Sequence, residues 1–417
     1  ILLTYLIYKR YKHQRKIYVD QHIGLCKKGR KNNFPVIMVH GTLGFVNDQN
    51  ALLRSYWSNF YSVLDKDEDI YEADVGGMSS IHDRACELYQ QIIGIVKTKE
   101  NAEKNRKQLS EQVYGSDHVE TKHRCNYYKP RYLRKCDMKT EKTFAYHKGL
   151  PEWNEKNKIH LIGHSLGAQT IRYLQYLLKI GYFEDEYKGI DRSNWIASLS
   201  CMSPPFNGAP ITHNFGYIPK TNKFKKNSWG VKLLKYKVIM ANILSQGGTQ
   251  NCINEEIFKQ TGDVLELQLI KTSIMYDINV EHFGWNRNSD EGLLQYIKRV
   301  WSDDYLEQID NNAFSDMNFD KGMKINDLCK PLGDTYYFSY TTGINEKVGN
   351  KRSQPELNNE IKSFTNDVIG FDIKEFDRLS WQDLPKEPES PTLYDRSLTL
   401  LKECSDPIFT YFRYWIH

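Results

Sequence analysis

A serine lies between a short apolar run and an amphipathic stretch, within residues 163–167 (GHSLG) of this 417-residue chain. The preceding residues 159–163 (IHLIG) predict a buried parallel strand, and residues 166–180 carry apolar side chains at helical spacing. A GxSxG pentapeptide between a strand and a helix predicts a tight, strained turn, because side chains at both glycine positions would clash with nearby backbone. Few folds accommodate such a turn, so it constrains the architecture strongly.

Other segments predict the same architecture. Residues 34–39 (FPVIMV) and 195–199 (WIASL) are short apolar runs of the kind that form buried strands. Residues 81–96 carry apolar side chains at helical spacing between them. Strands that alternate with helices predict the α/β class, with a mostly parallel central sheet flanked by helices.

Composition limits the class of protein further. Hydrophobic residues make up 40% of the chain and aromatic residues 13%, enough to form a large core, so global disorder is excluded. The net charge of +5 is too small for this length to indicate a nucleic-acid partner. The chain has no run of 18 apolar residues, so it contains no complete transmembrane helix.

The turn predicts nucleophilic chemistry. It places the Ser165 hydroxyl at a helix N-terminus, where the backbone N–H of Leu166 can stabilise an oxyanion. A second donor is expected from the loop after the first strand, where His40-Gly41 precedes Thr42 and directs the Thr42 amide into the site. A structural serine and an ordinary strand-ending turn are the alternatives. Together the two features predict acyl transfer through an acyl-enzyme on Ser165.

Several longer blocks resemble one known group of enzymes. Residues 34–41 (FPVIMVHG), 75–89 (VGGMSSIHDRACELY) and 159–165 (IHLIGHS) resemble the thermoalkalophilic bacterial lipases and the staphylococcal lipases, which have plant and protist relatives. Residues 203–208 (SPPFNG) and 334–340 (DTYYFSY) extend the match. The resemblance implies an α/β-hydrolase fold with lid and metal-site insertions, and hydrolysis of carboxylic esters of triacylglycerols.

The resemblance also implies a structural zinc ion, held in that family by two aspartates and two histidines. A glutamate replaces the last aspartate here, and the two histidines are one residue closer than the family spacing. The matching positions are Asp83, His118, His123 and Glu281. Tetrahedral N/O coordination of zinc tolerates both changes. His282 and Asp277 are alternative ligands, and polar residues with no metal are the other interpretation.

The catalytic acid and histidine are not evident. Hydrolases of this fold carry both after the serine, and only three of the twelve histidines follow Ser165, namely His213, His282 and His417. His213 follows the serine too closely, His282 falls in the metal-site match, and His417 is the last residue. We therefore expect the acid, the histidine and any calcium ligands near them to lie beyond His417, in a longer protein of which this sequence is a fragment.

Residues 229–244 predict an amphipathic helix. Apolar side chains at 229, 233, 236, 240 and 243/244 form one stripe, with lysines 232, 235 and 237 mostly off it. A buried core helix would give the same stripe. The helix follows residues 203–208, where the resembling lipases carry a lid, and a basic amphipathic helix suits a lipid–water interface.

The predicted organisation is an N-terminal apolar and basic leader over residues 1–30, followed by a single hydrolase domain over 31–417 with a lid insertion at about 210–260. The leader resembles part of a signal or anchor segment, from which we expect a secreted or membrane-associated protein; an ordinary amphipathic N-terminal segment is the alternative. The expected partner is a lipid ester at a lipid–water interface, with no nucleic acid and no obligate protein partner. A phospholipase, a lipid acyltransferase and a catalytically dead lipid-binding fragment are the alternatives.

Overall fold

The computed structural model describes residues 33–46, 56–57, 69–94, 133–137, 142–147, 149–209, 212, 215–218, 221, 223–244, 265–266, 280–285, 287–288, 291–340, 346–348 and 351–353. The predicted leader at 1–30 lies outside the described residues, as do parts of the predicted insertion at about 210–260.

Eight strands form one sheet. They are β1 (Val36–Val39), β2 (Ile70–Ala73), β3 (Leu133–Asp137), β4 (Lys142–His147), β5 (Ile159–His164), β6 (Ile196–Met202), β9 (Leu265–Glu266) and β10 (Tyr336–Tyr340). Their order across the sheet is β10-β6-β5-β1-β2-β3-β4-β9; the pairs from β10 to β2 are parallel, and the pairs from β2 to β9 are antiparallel. Two separate hairpins are β7–β8 (Tyr217–Ile218, Lys223–Phe224) and β11–β12 (Glu346–Val348, Lys351–Ser353).

Seven helices lie in the described part of the chain. They are α1 (Ile81–Ile93), α2 (Leu166–Lys179), α3 (Trp229–Leu244), α4 (Leu293–Ser302), α5 (Tyr305–Gln308), α6 (Ala313–Asp316) and α7 (Phe319–Leu328). Two short 3-10 turns cover Ser193–Trp195 and Glu281–Phe283. None of these helices is long and apolar enough to cross a membrane. The predicted α/β class with a mostly parallel central sheet is confirmed.

The first strand lies inside the parallel part, between β5 and β2, with every residue buried. Ile37 and Val39 pack against residues of α1 and α2 on one side of the sheet. Val36 and Met38 pack with Ile70 on the other side. Successive side chains of a strand point to opposite faces, so this short apolar run is buried on both sides and holds the loop that follows it in place.

Element boundaries differ from the prediction by a few residues. The first strand begins at Val36 rather than at 34. The strand predicted at 195–199, which is β6, begins at Ile196 because the residues before it form a 3-10 turn. Helix α1 ends at Ile93 rather than at 96, because Gly94 takes a φ of 81°, which no α-helix can continue; the Gly94 N–H makes the last helical bond, to the carbonyl of Gln90. A left-handed glycine is a common helix terminator.

Helix α3 has the predicted bounds, but its buried face is not the predicted one. Val231, Leu234 and Val238 are buried in a second core formed largely by α3 to α7, whereas Tyr236 is 54% exposed and Ile243 is 36% exposed. The side chain of Lys235 is also buried, and its ammonium donates to the carbonyls of Trp301 and Asp303 at the end of α4. Backbone carbonyls at a helix C-terminus accept such a bond readily. Lys235 can therefore be buried, although its position is one that periodicity assigns to water.

Candidate active site

Ser165 forms a sharp turn between β5 and α2. Its backbone has φ 53° and ψ −123°, a conformation that costs a non-glycine residue about 1–3 kcal/mol. The N–H of Ser165 donates to the carbonyl of Met202 over 2.8 Å, and its carbonyl accepts from the N–H of Ala168 over 3.0 Å. The turn is thus held from the neighbouring strand and from the helix it starts. Within the described residues, the Ser165 hydroxyl makes no hydrogen bond.

The two glycines of the pentapeptide are required by close backbone approach. A Cβ on Gly163 would lie 2.5 Å from the nitrogen of Ala168, and a Cβ on Gly167 would lie 2.1 Å from the carbonyl oxygen of Val39. Both distances are far inside van der Waals contact. The strained turn predicted from the sequence is present, and it is packed directly against the end of β1.

The loop after β1, residues 40–44, lies beside the serine. A Cβ on Gly41 would be 2.9 Å from the Cβ of Ser165. The N–H of Gly41 donates to the Tyr56 hydroxyl over 2.9 Å, and that of Leu43 donates to the carbonyl of Gly77 over 2.7 Å. Between these two anchored amides, the N–H of Thr42 makes no hydrogen bond to any described residue. Thr42 therefore has an amide available next to the serine.

The second predicted donor, the N–H of Leu166, is the first amide of α2. The first four N–H groups of a helix have no intrahelical acceptor, and the helix dipole makes this end partly positive. Leu166 itself is fully buried. The structure therefore brings the two predicted oxyanion amides to the same serine, and their role in catalysis stays a prediction.

A tyrosine that sequence reasoning missed links the two halves of this site. The Tyr56 hydroxyl accepts from Gly41 N–H and lies 2.5 Å from Nδ1 of His164, the residue before the serine. Burial lowers the pKa of His164 to about 4. The imidazole is therefore neutral at pH 7, and in the tautomer protonated at Nε2 its Nδ1 accepts a hydrogen bond from the Tyr56 hydroxyl. Tyr56 lies 15 positions from Gly41 and 108 from His164, and it belongs to no recognisable pattern.

The predicted zinc ligands are only partly within the described residues. Asp83 is buried near the start of α1; its Oδ2 accepts from Asn311 Nδ2 over 3.0 Å, and its Oδ1 is 3.2 Å from Nδ1 of His82. His118 and His123 lie outside the described residues. Glu281 begins a 3-10 turn, and its side chain is not described. No group of three or more metal-ligating side chains occurs in the described part of the chain.

His282, the alternative zinc ligand, is buried against another acidic group. Its Nε2 lies 2.7 Å from Oε1 of Glu87, whose other oxygen accepts from the N–H of Gly76 over 2.5 Å. His213 and Asp277 lie outside the described residues. The expectation that the catalytic acid and histidine follow His417 concerns residues beyond this sequence, and it stays a prediction.

Comparison with known proteins identifies similar sequences. A family model described as a lipase-like, C-terminal domain matches residues 32–118 and 123–223. Lipase 2 of Staphylococcus aureus is 26% identical over 364 residues, and the lipase of Staphylococcus epidermidis is 26% identical over 365 residues. Each match covers 82% of this chain but 43% of the relative, so the chain spans less than half the length of these curated relatives. The predicted resemblance to the staphylococcal lipases is confirmed.

Two solved structures share the fold. EstA from Clostridium botulinum has a TM-score of 0.51 at 24% identity, covering 80% of this chain and 66% of that one. Staphylococcus hyicus lipase has a TM-score of 0.52 at 22% identity, covering 79% of this chain and 72% of that one. With the mostly parallel sheet and its flanking helices, these likenesses show the predicted α/β-hydrolase fold.

The buried His164 predicts a specific pH dependence of stability. Its pKa falls from 6.5 in the unfolded chain to about 4 in the folded protein, so between these values the unfolded chain binds a proton that the folded protein does not. The contribution of the neutral His164 to the free energy of unfolding is fully present above about pH 6.5. It decreases as the pH falls, by at most about 1.4 kcal/mol per pH unit. Denaturant unfolding at about pH 7 and about pH 4.5 measures the loss.

The matched variant is His164→Asn, whose amide oxygen can still accept from the Tyr56 hydroxyl but does not titrate. We expect the wild type to lose more unfolding free energy than His164→Asn over this pH range. Equal losses in the two proteins would show that His164 does not carry this dependence.

Proposed function

We propose that the chain is the serine-bearing part of a carboxylic-ester hydrolase of the lipase type, with Ser165 as its nucleophile. The carrying observation is the strained turn at Ser165 packed against a loop whose Thr42 amide makes no bond to a described residue. The similarity to staphylococcal lipases supports a lipid ester as the substrate.

The proposed chemistry follows from this arrangement. The Ser165 oxygen adds to the ester carbonyl carbon, and its proton passes to a base. The carbonyl oxygen becomes negative and accepts hydrogen bonds from the amides of Thr42 and Leu166, aided by the positive end of α2. The base then gives this proton to the leaving oxygen as the bond to the alcohol breaks. Water, losing a proton to the same base, hydrolyses the acyl-enzyme to release the carboxylic acid and restore the Ser165 hydroxyl. Preorganised amides are effective here because no dipole has to reorient as the charge develops.

Covalent labelling tests the nucleophile. A fluorophosphonate should attach to Ser165 of the folded full-length protein, which carries the expected acid and histidine, and Ser165→Ala should abolish labelling because the attacking oxygen is gone. Ser203→Ala is the matched control, since Ser203 also has a positive φ and follows the neighbouring strand β6. Peptide mapping by mass spectrometry identifies the modified residue.

Labelling that survives Ser165→Ala would assign the nucleophile to another residue. A folded full-length wild type that is not labelled would contradict a serine nucleophile and favour a non-catalytic lipid-binding protein. Substrate choice is measured separately in the full-length protein. Release of fatty acid from tributyrin but not from phosphatidylcholine supports a triacylglycerol lipase. The reverse preference supports a phospholipase, and transfer to an added alcohol supports an acyltransferase.

We also propose that α3 acts as the lid, with a lid face formed by Lys232, Tyr236 and Ile243. These exposed residues are four and seven positions apart and so lie on one side of the helix. The helix carries three lysines and no acidic residue, which suits a lipid surface. Its opposite side packs in the second core, so lifting it would uncover further apolar surface.

Substitution of the lid face tests this role. Tyr236→Ser with Ile243→Ser should lower hydrolysis of emulsified tributyrin several-fold while leaving hydrolysis of a dissolved short-chain ester unchanged, because only the first needs an apolar surface contact. The control is Ile190→Ser, a 52% exposed residue beyond the C-terminal end of α2. Equal effects on both substrates, or an equal effect of the control, would exclude the lid role.

The structural zinc is a further proposal from the resemblance. Of the four predicted ligands, Asp83 is the one whose side chain the structure describes; it is buried beside His82 near the start of α1. One zinc ion would organise the segments around it. We expect about one zinc per chain by atomic absorption, and loss of the metal in Asp83→Asn but not in the exposed control Asp320→Asn. A wild-type protein with far less than one zinc would remove the site.

A further inference from the structure

A fully buried arginine connects three separate segments of the active site. Arg84 lies in the first turn of α1 with no solvent exposure. Its Nε donates to the hydroxyl of Thr170 over 3.0 Å, and one terminal nitrogen donates to the carbonyl of Gly76 over 2.6 Å. The other terminal nitrogen donates to the carbonyl of His40.

Two of these contacts lead to the peptide units next to the two oxyanion amides. His40 is the first residue after the first strand and precedes Gly41 and Thr42, so the bond to its carbonyl fixes the start of the Thr42 loop. Thr170 lies one turn along α2, and its hydroxyl passes a hydrogen bond to the carbonyl of Leu166 over 2.9 Å. One guanidinium therefore connects the start of the Thr42 loop with the first turn of α2, the two segments that carry the donors.

The third contact holds the same loop from its other side. The Gly76 peptide is bound at both ends, since its carbonyl accepts from Arg84 and its N–H donates to Glu87 over 2.5 Å. The adjacent carbonyl, of Gly77, accepts from the N–H of Leu43 over 2.7 Å. The Thr42 loop thus rests on a segment that the buried Arg84 and Glu87 hold in place.

The charge of Arg84 persists in this setting. Burial lowers its pKa to about 10, and the nearby Glu87 carboxylate opposes that change. The guanidinium therefore remains protonated at neutral pH, and each of its three nitrogens donates a hydrogen bond. A planar group with a fixed fork of donors can serve three acceptors in one plane, whereas a lysine ammonium on a flexible stem cannot reproduce these directions.

We propose that Arg84 is a positioning residue that sets the spacing between the Thr42 and Leu166 amides, acting through His40 on one side and through Thr170 on the other. The inference rests on the proposed function, because the two amides matter as a pair only if Ser165 forms an oxyanion. Arg84, which lies outside the Ser165 turn, thereby controls the alignment of the two amides on which transition-state stabilisation depends.

The test separates positioning from general stability with matched variants. Arg84→Lys keeps the charge but loses the fork, and Thr170→Val removes the hydroxyl that relays to Leu166, whereas Thr170→Ser retains it. Arg192→Lys is the control, because Arg192 is equally buried, bonded to Tyr89 and Asp185, and lies beyond the opposite end of α2. Both arginine variants should lower the thermal unfolding midpoint.

Two readouts are measured on the folded full-length protein, which carries the expected acid and histidine. In fluorophosphonate inactivation of Ser165, Arg84→Lys and Thr170→Val should lower the limiting rate by about 10- to 100-fold with unchanged half-saturation, because a displaced donor weakens the transition state alone. Thr170→Ser and Arg192→Lys should stay near the wild type. In hydrogen exchange, the amides of residues 41–46 should exchange faster in Arg84→Lys and Thr170→Val and at the wild-type rate in Arg192→Lys.

The outcomes distinguish the two proposals. If the wild type is not labelled at Ser165, the proposed function fails, and the exchange of residues 41–46 alone decides whether Arg84 positions the loop. If Arg84→Lys and Arg192→Lys change labelling and exchange to the same extent, or if Thr170→Val behaves like Thr170→Ser, the positioning role is overturned.

Discussion

The backbone approach between the end of β1 and the turn at Ser165 governs the structure. The carbonyl of Val39 would lie 2.1 Å from a Cβ at position 167, and Gly41 is in comparably close contact with the serine. Two backbones this close fix the direction of the serine side chain, the first amides of α2 and the loop after β1 relative to one another. The strain in the serine φ and ψ persists because bonds from β6 and from α2 hold the turn on both sides.

Buried charge surrounds this contact. Arg84 and Glu87 are both without solvent exposure, and Glu87 is further bonded to His282. Removing a single partner from such a group leaves the other charge uncompensated, so these residues stabilise the site only as a set. His164, in contrast, is buried without a charge, and its neutral ring is hydrogen-bonded to the Tyr56 hydroxyl. Protonation is therefore expected to disturb the site at the residue next to the nucleophile.

Sequence reasoning succeeded where short-range geometry decides the outcome. The GxSxG turn, the strand before it and the helix after it follow from local sterics, and the Thr42 loop follows from its place after the first strand. The links made by Tyr56 and Arg84 could not be predicted in this way, because their partners are distant in sequence: Arg84 and Thr170 are 86 positions apart. The block at 75–89 marked the region of Arg84, but nothing in its pattern indicated what a buried arginine would contact.

Helix α3 shows a different limit. Its bounds were predicted correctly and its buried face was not, because apolar residues occur on most sides of it and the buried Lys235 finds carbonyl partners on α4. Periodicity assumes that lysine faces water, and tertiary hydrogen bonds overrode that assumption here. For the metal site, the sequence match to Asp83 leads to a buried carboxylate bonded to Asn311, and the zinc itself remains a proposal.

The most direct test of the central claim is a crystal structure of the phosphonate adduct at Ser165. The account predicts that the phosphoryl oxygen lies within about 3 Å of the backbone nitrogens of both Thr42 and Leu166, because those amides are the preorganised donors. An adduct whose phosphoryl oxygen points into solvent, or is bound by other groups while these two amides stay apart from it, would contradict the account.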